Sequence, residues 1–377
     1  MTELVKGFKE YTGEEADKRQ RLKGILAETF KKYGFELAET PILEYEEFVK
    51  GENGSDEAIS DIFRLKDKGK RNLALRYEFT FQLRRLMKNR KLPYKRFQIG
   101  EVFRDEPTAA NRFRQFTQCD VDVIGSTIKD EAEILALTNE ALNELGIKPI
   151  ILINNRKLLN EILDSEKIKE KDKAQVLREI DKLGKLSEKE ILQNLKKYKA
   201  ENVLKVLKKG ESYFKKFKAY NEIEELIKYC SYYGVKILFS PTVVRGLSYY
   251  NGSVFEVKAS GMRETLVGGG SYKFDNVQST GISFGIERLL LLAKIKLEKK
   301  ESLIVSLGED KEAIKLAGRL RSKGKNVLLF FGKPTKALEF ANSKNIGEVI
   351  FIGKEEIKKG KYKVKDMGSG KEVWGKM

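Results

Sequence analysis

The sequence contains no histidine and only two cysteines, Cys119 and Cys230, which lie far apart in the chain. Without histidine, imidazole acid–base catalysis, Ser-His or Cys-His nucleophilic machinery and imidazole metal ligation are all excluded. Two distant cysteines exclude a disulfide framework and a cysteine-rich zinc site. An enzyme of this composition would work by positioning and electrostatics, or through carboxylates, lysines and tyrosines.

The sequence also lacks an apolar run long enough to span a bilayer, and its first six residues, MTELVK, lack the apolar stretch of a signal peptide. We therefore expect a cytoplasmic protein without a membrane partner. Its 377 residues, 41% of them hydrophobic, suffice for two or three domains. The net charge of +18 suits a nucleic-acid partner, although a lysine-rich proteome would give the same surplus.

The first part of the chain predicts a helix and a hairpin. Apolar residues at helical spacing predict a helix over residues 14–33, which Gly34 would end as a C-cap. Residues 35–43 favour a strand interrupted at Pro41. Residues 97–104 and 113–125 alternate like strands around a short polar loop, which predicts an antiparallel hairpin.

The later parts differ in composition. Residues 156–228 lack proline and are rich in Leu, Ile and Lys, which predicts a helical insertion, placed at 150–235 within a domain over 1–300. Between residues 196 and 218, nine lysines oppose two glutamates, which fits a binding face or a solvated one equally well.

After a polar linker at 298–302, strands alternate with helices, which predicts a small parallel or mixed α/β domain over 301–377. Residues 303–377 contain 17 basic and 9 acidic residues, a local net charge of +8.

Polar side chains recur at every second position of the hairpin, and so on one face of each strand. Arginine forks suit phosphates, an aromatic ring stacks on a base, and a carboxylate accepts from an amine. Alternating charges on a hairpin are more often a solvated face, so the pattern alone is weak. These side chains are Arg104, Glu106, Arg112, Arg114, Phe116, Gln118, Asp120 and Asp122.

Four other segments could contact a ligand. Residues 76–80 offer a carboxylate and a hydroxyl for an amino group, or else a helix N-cap. Residues 244–252 place an arginine beside paired tyrosines, of which at most one would face a given pocket in an extended chain. The glycines at 268–270 permit close backbone approach or form a bulge. At 285–288 a strand precedes a helix whose first-turn arginine suits an anionic ligand.

Together and in this order, these motifs resemble class II aminoacyl-tRNA synthetases, and specifically the histidyl-tRNA synthetase family, over nearly the whole chain. The class motifs correspond to residues 39–44, to 103–106 with 112–116, and to 285–288. The histidine-specific signatures are residues 245–250 and 269–272. The resemblance implies an α+β fold: an antiparallel-sheet class II catalytic domain with a helical insertion, followed by an α/β anticodon-binding domain.

The resemblance further implies ATP-dependent ligation of L-histidine to tRNA(His) through histidyl-adenylate. Arg104 and Arg245 would be the catalytic residues, both acting on the α-phosphate, and Arg104 would also hold the amino-acid carboxylate. Glu106 would accept from the adenine amino group, Arg112 would bind the outer phosphates, and the adenine ring would lie between Phe116 and Arg288. The residues implied for histidine are Glu78, Phe79, Thr80, Gln118, Asp122, Tyr249, Tyr250 and Tyr272.

By the same resemblance, Mg²⁺ would accompany ATP without a dedicated protein site, zinc would be absent, and the chain would form a homodimer. Ser248 stands where the family usually has Asp, and Ser271 and Lys273 replace the usual Arg and Asp around Tyr272. These changes weaken the support for the histidine pocket.

Two alternatives stay open at this point. A catalytically inactive, synthetase-like regulatory paralogue of histidine biosynthesis generally lacks the anticodon domain and the catalytic arginine. This chain retains Arg104, Arg245 and Arg288, which favours the enzyme. A class II synthetase for another amino acid is disfavoured by the tyrosine pair and by Asp122.

Overall fold

The computed structural model describes residues 2–51, 57–109, 112–183, 186–245, 249–262, 264–297 and 301–376. The chain divides into two units, Met1–Ile295 and Lys296–Met377.

The strands of the first unit build its central sheet and a small accessory sheet. They are β1 (Glu36–Leu37), β2 (Leu43–Tyr45), β3 (Arg64–Lys66), β4 (Asn72–Leu75), β5 (Tyr94–Phe103), β6 (Gln115–Ile124), β7 (Pro149–Asn155), β8 (Ile237–Phe239), β9 (Tyr250–Ala259), β10 (Val267–Phe274) and β11 (Val277–Gly285). Among the described residues, eight strands form one sheet in the order β1-β5-β6-β11-β10-β9-β7-β8, and β2-β4-β3 form another. The neighbours from β5 to β7 in this order all pair antiparallel.

In the first unit, the long helices pack on one face of the large sheet, and short helices lie between its other elements. They are α1 (Gly13–Lys32), α2 (Glu46–Lys50), α3 (Glu57–Ser60), α4 (Leu83–Leu86), α5 (Ile128–Glu144), α6 (Arg156–Ser165), α7 (Glu170–Asp181), α8 (Glu188–Lys196), α9 (Glu201–Leu207), a 3₁₀ helix (Glu211–Lys216), α10 (Tyr220–Tyr232) and α11 (Ile286–Leu292). The predicted first helix is confirmed, and Gly34 follows it with φ +78°, a left-handed conformation that favours glycine.

The two faces of the large sheet differ chemically because apolar and polar residues alternate along β6. Cys119 and Val121 are fully buried and pack in one apolar cluster with Phe30 of α1 and Leu135 of α5. The polar residues between them point to the opposite face. This alternation creates a helix-covered core on one side and leaves the other side for polar chemistry.

The helical insertion begins later than residue 150, because residues Pro149–Asn155 form β7 inside the large sheet. The helical pattern itself was predicted from residue 156, where α6 begins, so only the outer boundary at 150 was set too early. The helices that follow pack on the sheet, since Leu159 of α6 and Leu226 of α10 join the same apolar cluster as β6. The insertion therefore shares the core of the first unit.

The second unit is a mixed α/β domain, as predicted. Its elements are β12 (Glu301–Ser306), α12 (Asp310–Ser322), β13 (Asn326–Phe331), α13 (Pro334–Ser343), β14 (Glu348–Ile352), α14 (Lys354–Lys358), β15 (Lys361–Asp366) and β16 (Glu372–Lys376). The strand order is β13-β12-β14-β15-β16, parallel over the first three strands and antiparallel over the last two.

The linker predicted at 298–302 is wrong at its end, because Glu301 and Ser302 belong to β12 and Ser302 is buried. Residues 298–300 lie outside the described residues. In the described ranges, no helix combines the length and apolar character needed to cross a membrane. Both units together confirm the predicted α+β fold.

Candidate active site

The polar face of the large sheet lines an open cavity of about 1770 Å³ within the first unit. Residues from β6, β9, β10 and β11 form its wall, and loops beside α4 and before α11 form its rim. All the site residues predicted from sequence line this cavity except Phe79. They are Glu78, Thr80, Arg104, Glu106, Arg112, Phe116, Gln118, Asp122, Arg245, Tyr249, Tyr250, Tyr272 and Arg288.

Phe79 is a correction to the predicted site, because its side chain is fully buried and does not line the cavity. The guanidinium carbon of Arg76 lies 4.8 Å from the centre of its ring. Arg76 in turn donates to the carbonyl oxygens of Thr40, at 2.6 Å, and Glu101, at 2.8 Å. Phe79 thus anchors from behind the segment that carries Glu78 and Thr80.

Arg104 follows β5 and continues the hairpin, since its backbone N–H donates to the carbonyl of Arg114 at 2.8 Å. Its Nε donates to the carbonyl oxygen of Tyr77 at 3.1 Å, and Nη2 donates to Oε1 of Gln118 at 3.5 Å. The guanidinium carbon lies 5.2 Å from the ring centre of Phe116. These contacts hold a planar cation in the cavity wall, where it suits a phosphate or carboxylate.

The outer end of the cavity is held by ionic contacts among the predicted ATP residues. Nε of Arg112 donates to Oε2 of Glu106 at 2.6 Å. Arg288 is exposed in the first turn of α11, and its Nη1 donates to the carbonyl oxygen of Thr265 at 2.8 Å. A nucleotide bound as predicted would therefore have to replace the contact between Arg112 and Glu106.

The inner end of the cavity combines a carboxylate with three phenols. The hydroxyl of Tyr272 donates to Oδ1 of Asp122 at 2.7 Å. The ring centre of Tyr249 lies 4.9 Å from that of Tyr250 and 5.7 Å from that of Tyr272. Burial raises the pKa of all three phenols, so each keeps its proton at neutral pH and acts as a donor.

Tyr249 and Tyr250 both line the cavity, which corrects the expectation that at most one of them would. The expectation assumed an extended chain through both residues. The strand β9 begins only at Tyr250, and Tyr249 lies in a turn before it. The side chains are therefore not forced to opposite faces.

Three glycines leave the space that the site side chains occupy. A Cβ at Gly268 would overlap the guanidinium of Arg245, and one at Gly281 would overlap Oδ1 of Asp122. A Cβ at Gly270 would lie 2.8 Å from the Tyr250 ring. The glycines at 268–270 lie in β10, and the register irregularity between Gly270 and Tyr272 agrees with the bulge expected there. Gly281 was missed because its role depends on the strand it pairs with.

Arg245 has φ +55°, a left-handed conformation that is strained for arginine. Its Nη1 lies 3.8 Å from Oε1 of Glu256, and its buried Nε has no hydrogen-bond partner among the described residues. Burial lowers the pKa of Arg245, but Tyr250, Glu256, Asp181 and Tyr249 together raise it by more, so the cation persists. Ser248, one of the departures from the family pattern, lies outside the described residues.

Two buried carboxyl groups beside the cavity have raised pKa values; the sequence pattern named Asp120 but missed Glu131. Burial and the neighbouring Asp122 raise the pKa of Asp120 to about 6, although Gln118 donates to both its oxygens, at 2.8 and 3.0 Å. Burial raises the pKa of Glu131 on α5 to about 6, although the Ser271 hydroxyl donates to it. The signal for Glu131 was an acidic residue on the apolar side of a helix.

Another missed feature links the elements behind the cavity. Oε1 of Glu287, at the start of α11, accepts from Nη1 of Arg19 on α1 at 2.7 Å. The same oxygen accepts from the backbone N–H of Thr117 on β6 at 3.0 Å. The Glu287 carboxylate therefore holds α11, which carries Arg288, against β6, the second strand of the hairpin.

Comparisons with known proteins agree on one family. The sequence model described as histidyl-tRNA synthetase matches residues 7–289. The histidine–tRNA ligase 1 of Bacillus cereus is 33% identical, with 98% of this chain and 94% of that protein covered. The histidine–tRNA ligase of Methanocaldococcus jannaschii is 31% identical, with 99% and 97% covered.

Solved structures share the fold. A histidyl-tRNA synthetase from Nostoc sp. PCC 7120 superposes with a TM-score of 0.86 at 24% identity, covering 99% of this chain and 96% of that one. An ATP phosphoribosyltransferase regulatory subunit/histidyl-tRNA synthetase from Bacillus halodurans C has a TM-score of 0.77 at 24% identity, covering 93% and 98%. These likenesses concern the fold alone, whereas the sequence matches concern descent. The chain belongs to the histidyl-tRNA synthetase family.

Proposed function

We propose that this protein ligates L-histidine to tRNA(His), using ATP to form a histidyl-adenylate first. The observation that carries the proposal is one continuous cavity with two kinds of wall. Its inner end offers the carboxylate of Asp122 and the phenols around it, which suit an imidazole ring. Its outer end offers Arg104, Arg112 and Arg288, which suit a nucleotide's phosphates and base.

Adenylate formation fits a protein that contains no histidine. A carboxylate attacks phosphorus in line with the departing pyrophosphate, and the step needs no proton donor or acceptor. Arg104 would orient the histidine carboxylate and the α-phosphate together, because its fork is fixed by Tyr77 and Gln118. Arg245 would stabilise the charge that develops on the α-phosphate.

The histidine side chain would be recognised at the inner end. Its ring N–H would donate to Asp122, and a protonated phenol would donate to the other ring nitrogen. Glu78, Thr80 and Gln118 would bind the α-amino group, since all three line the same cavity. This division places the amino-acid carboxylate between the inner and the outer end.

ATP would displace Arg112 from Glu106, so that the carboxylate accepts from the adenine amino group and the arginine binds the outer phosphates. Glu256 lines the cavity, and carboxylate oxygens are the ligands that Mg²⁺ prefers, so this residue fits a magnesium ion that arrives with ATP. Mg²⁺ would supply charge neutralisation between the phosphates. Zinc forms no part of the proposal, because the chain lacks histidine and has two distant cysteines.

The second unit would bind the anticodon end of tRNA(His). The net charge of +8 over residues 303–377 and the exposed aromatic residues Phe331 and Trp374 support the assignment, because phosphates bind cations and unpaired bases stack on rings. By family analogy the protein would act as a homodimer in the cytoplasm.

ATP–pyrophosphate exchange with each standard amino acid tests the proposal. We expect exchange with histidine and with no other amino acid, followed by charging of tRNA(His). A regulatory paralogue would catalyse no exchange, and a synthetase of another specificity would exchange with a different amino acid. The name of the Bacillus halodurans neighbour includes a regulatory subunit, so the fold alone does not distinguish these outcomes.

A further inference from the structure

Arg96 is a fully buried cation directly behind the predicted imidazole-binding carboxylate. It lies on β5, and its register partner on β6 is Asp122, so the two side chains share one face of the sheet. Nη2 of Arg96 is 2.8 Å from Oδ2 of Asp122. Arg96 does not line the cavity itself, so it contacts a ligand only through Asp122.

The arginine is poorly satisfied by hydrogen bonds. Nε, Nη1 and Nη2 of Arg96, and Oδ2 of Asp122, have no hydrogen-bond partner among the described residues, so the 2.8 Å contact is ionic but not aligned as a hydrogen bond. Burying a guanidinium in this way costs free energy, and an apolar residue of similar size at such a position is often as stable or more stable. Fold stability therefore does not account for an arginine here.

The surroundings of Asp122 explain what the cation does. Asp120 is two residues away on the same face of β6, and its raised pKa is opposed by Arg96. Tyr272 of β10 donates to Asp122, and Tyr94 precedes Arg96 on β5. On the other side, β11 presents uncharged residues opposite Asp120 and Asp122, namely Ser283 and Gly281. Arg96 is thus the cation set against two neighbouring buried carboxyl groups.

We propose that Arg96 is a positioning residue that neutralises Asp122, so that the pocket selects the uncharged imidazole ring of histidine; this inference rests on the proposed function. With Arg96 present, the ion pair has no net charge, and Asp122 can accept a ring N–H without attracting an imidazolium. Without Arg96, the two carboxyl groups would share excess negative charge, which favours the protonated ring.

The test measures kcat/KM for histidine in ATP–pyrophosphate exchange from pH 5.5 to 8.5, in the full-length protein and in Arg96→Met and Arg96→Lys. A histidine analogue with a triazole ring, which stays neutral over this range, serves as the second substrate. Gln98→Met is the matched control, because Gln98 is 2% exposed on the same face of β5 and carries no charge.

In the wild type we expect kcat/KM for histidine to fall below a pH of about 6.5, where free imidazole takes up its proton. The triazole analogue should show no such fall. In Arg96→Met the loss should be greatest at pH 8.5, about tenfold or more because the buried Asp122 carboxylate loses its ionic partner, and should shrink on acidification for histidine only. Arg96→Lys should restore the wild-type profile in part, and the KM for ATP should stay unchanged.

If kcat/KM for histidine fell by the same factor at every pH in Arg96→Met, and by a similar factor in Gln98→Met, Arg96 would have only a structural role. If Arg96→Met fails to fold, the wild type still decides the matter, since undiminished use of histidine at pH 5.5 relative to the triazole analogue would overturn the inference. Absence of histidine-dependent exchange in the wild type would instead overturn the proposed function.

Discussion

At the scale of single residues, Arg245 shows how the site holds a cation in place. Its backbone is strained at φ +55°, and its guanidinium lies over Gly268, where any larger residue would overlap it. Among the described residues, its nearest carboxylate is Glu256, at 3.8 Å, which is too far for a hydrogen bond. The cation therefore keeps donors for a ligand.

Arg245→Ala should reduce the rate of histidine-dependent exchange by roughly two orders of magnitude, about 3 kcal/mol of transition-state stabilisation. Histidine binding, followed by calorimetry, should change far less, because the proposed contact forms with the α-phosphate. Lys258→Ala is the matched control, since Lys258 also lines the cavity and lies 3.7 Å from Glu256. Near-normal exchange in Arg245→Ala would remove the proposed catalytic role.

Glu131 gives a prediction about pH and stability. Its pKa is raised to about 6 in the folded protein, so its favourable contribution is complete below the unfolded value near 4.5 and is lost as the pH rises through 6. Glu131→Gln, which stays neutral, should therefore match the wild type near pH 4.5 and exceed its unfolding free energy by about 2 kcal/mol at pH 8.

Denaturant unfolding of the two proteins at both pH values measures the difference. Glu140→Gln provides the control, because Glu140 lies on the partly exposed side of the same helix and pairs with Lys32. It should gain no stability at pH 8. Equal stability of Glu131→Gln and wild type at pH 8 would show that the buried carboxyl group carries no penalty.

At the scale of elements, the antiparallel pairing of β6, β11 and β10 determines which residues meet. Asp122 faces Gly281 across one pair of strands, and Gly281 faces Gly270 across the next. The two glycines leave room for the carboxylate and for the ring of Tyr250. The pocket thus depends on Asp122 of β6 standing opposite a glycine, Gly281 of β11, which has no side chain to occupy the same space.

Gly281→Ala should raise the KM for histidine about tenfold or more and leave the KM for ATP nearly unchanged, because the new methyl group would displace the Asp122 carboxylate. Gly285→Ala on the same strand is the control, since its nearest neighbour would be 3.9 Å away. Steady-state exchange with each substrate varied in turn gives both constants. Parallel increases in both would indicate general damage to the sheet.

The sequence predicts most of the helices and strands, but few of the contacts between side chains on different strands. Alternation and turn signals located the hairpin to within a few residues, and β13 and β14 at their observed bounds. The strands β15 and β16 were missed, although Lys361–Asp366 alternates lysines with Tyr362 and Val364 as a half-buried strand does. Arg96 was missed because its partner follows from cross-strand register, which one strand's pattern cannot reveal.

The predicted site residues illustrate the same limit. Their spacing put Gln118, Asp120 and Asp122 on one face, and the structure brings them into one cavity. Phe79 sits between two cavity residues in sequence, yet its side chain belongs to the core. Adjacent positions in an irregular segment point in directions that only the packing decides, and the roles of the cavity residues stay predictions.

At the scale of the whole molecule, the two units separate the proposed tasks. A chain that ends at residue 299 keeps every residue of the cavity and loses the second unit. It should still exchange pyrophosphate with histidine, whereas charging should weaken through a higher KM for tRNA. The salt dependence of tRNA binding should become shallower, because fewer phosphate contacts release counterions.

We would measure pyrophosphate exchange, tRNA charging and thermal unfolding on one sample of the truncated chain and compare each with the untruncated protein. Loss of exchange together with a collapsed fold would mean that the second unit supports the catalytic one, and the proposed division of tasks would fail. A charging defect with intact exchange and a full unfolding transition would support it.

The alternation along β6 has a further consequence for the life of the protein in a cell. A slip of one residue in strand pairing would turn Asp120 and Asp122 toward Phe30 and expose Val121 instead. A chain with this register error would therefore be both inactive and prone to aggregation. Chaperones and proteases recognise exposed apolar surface, so they would remove the same molecules that lack a working site.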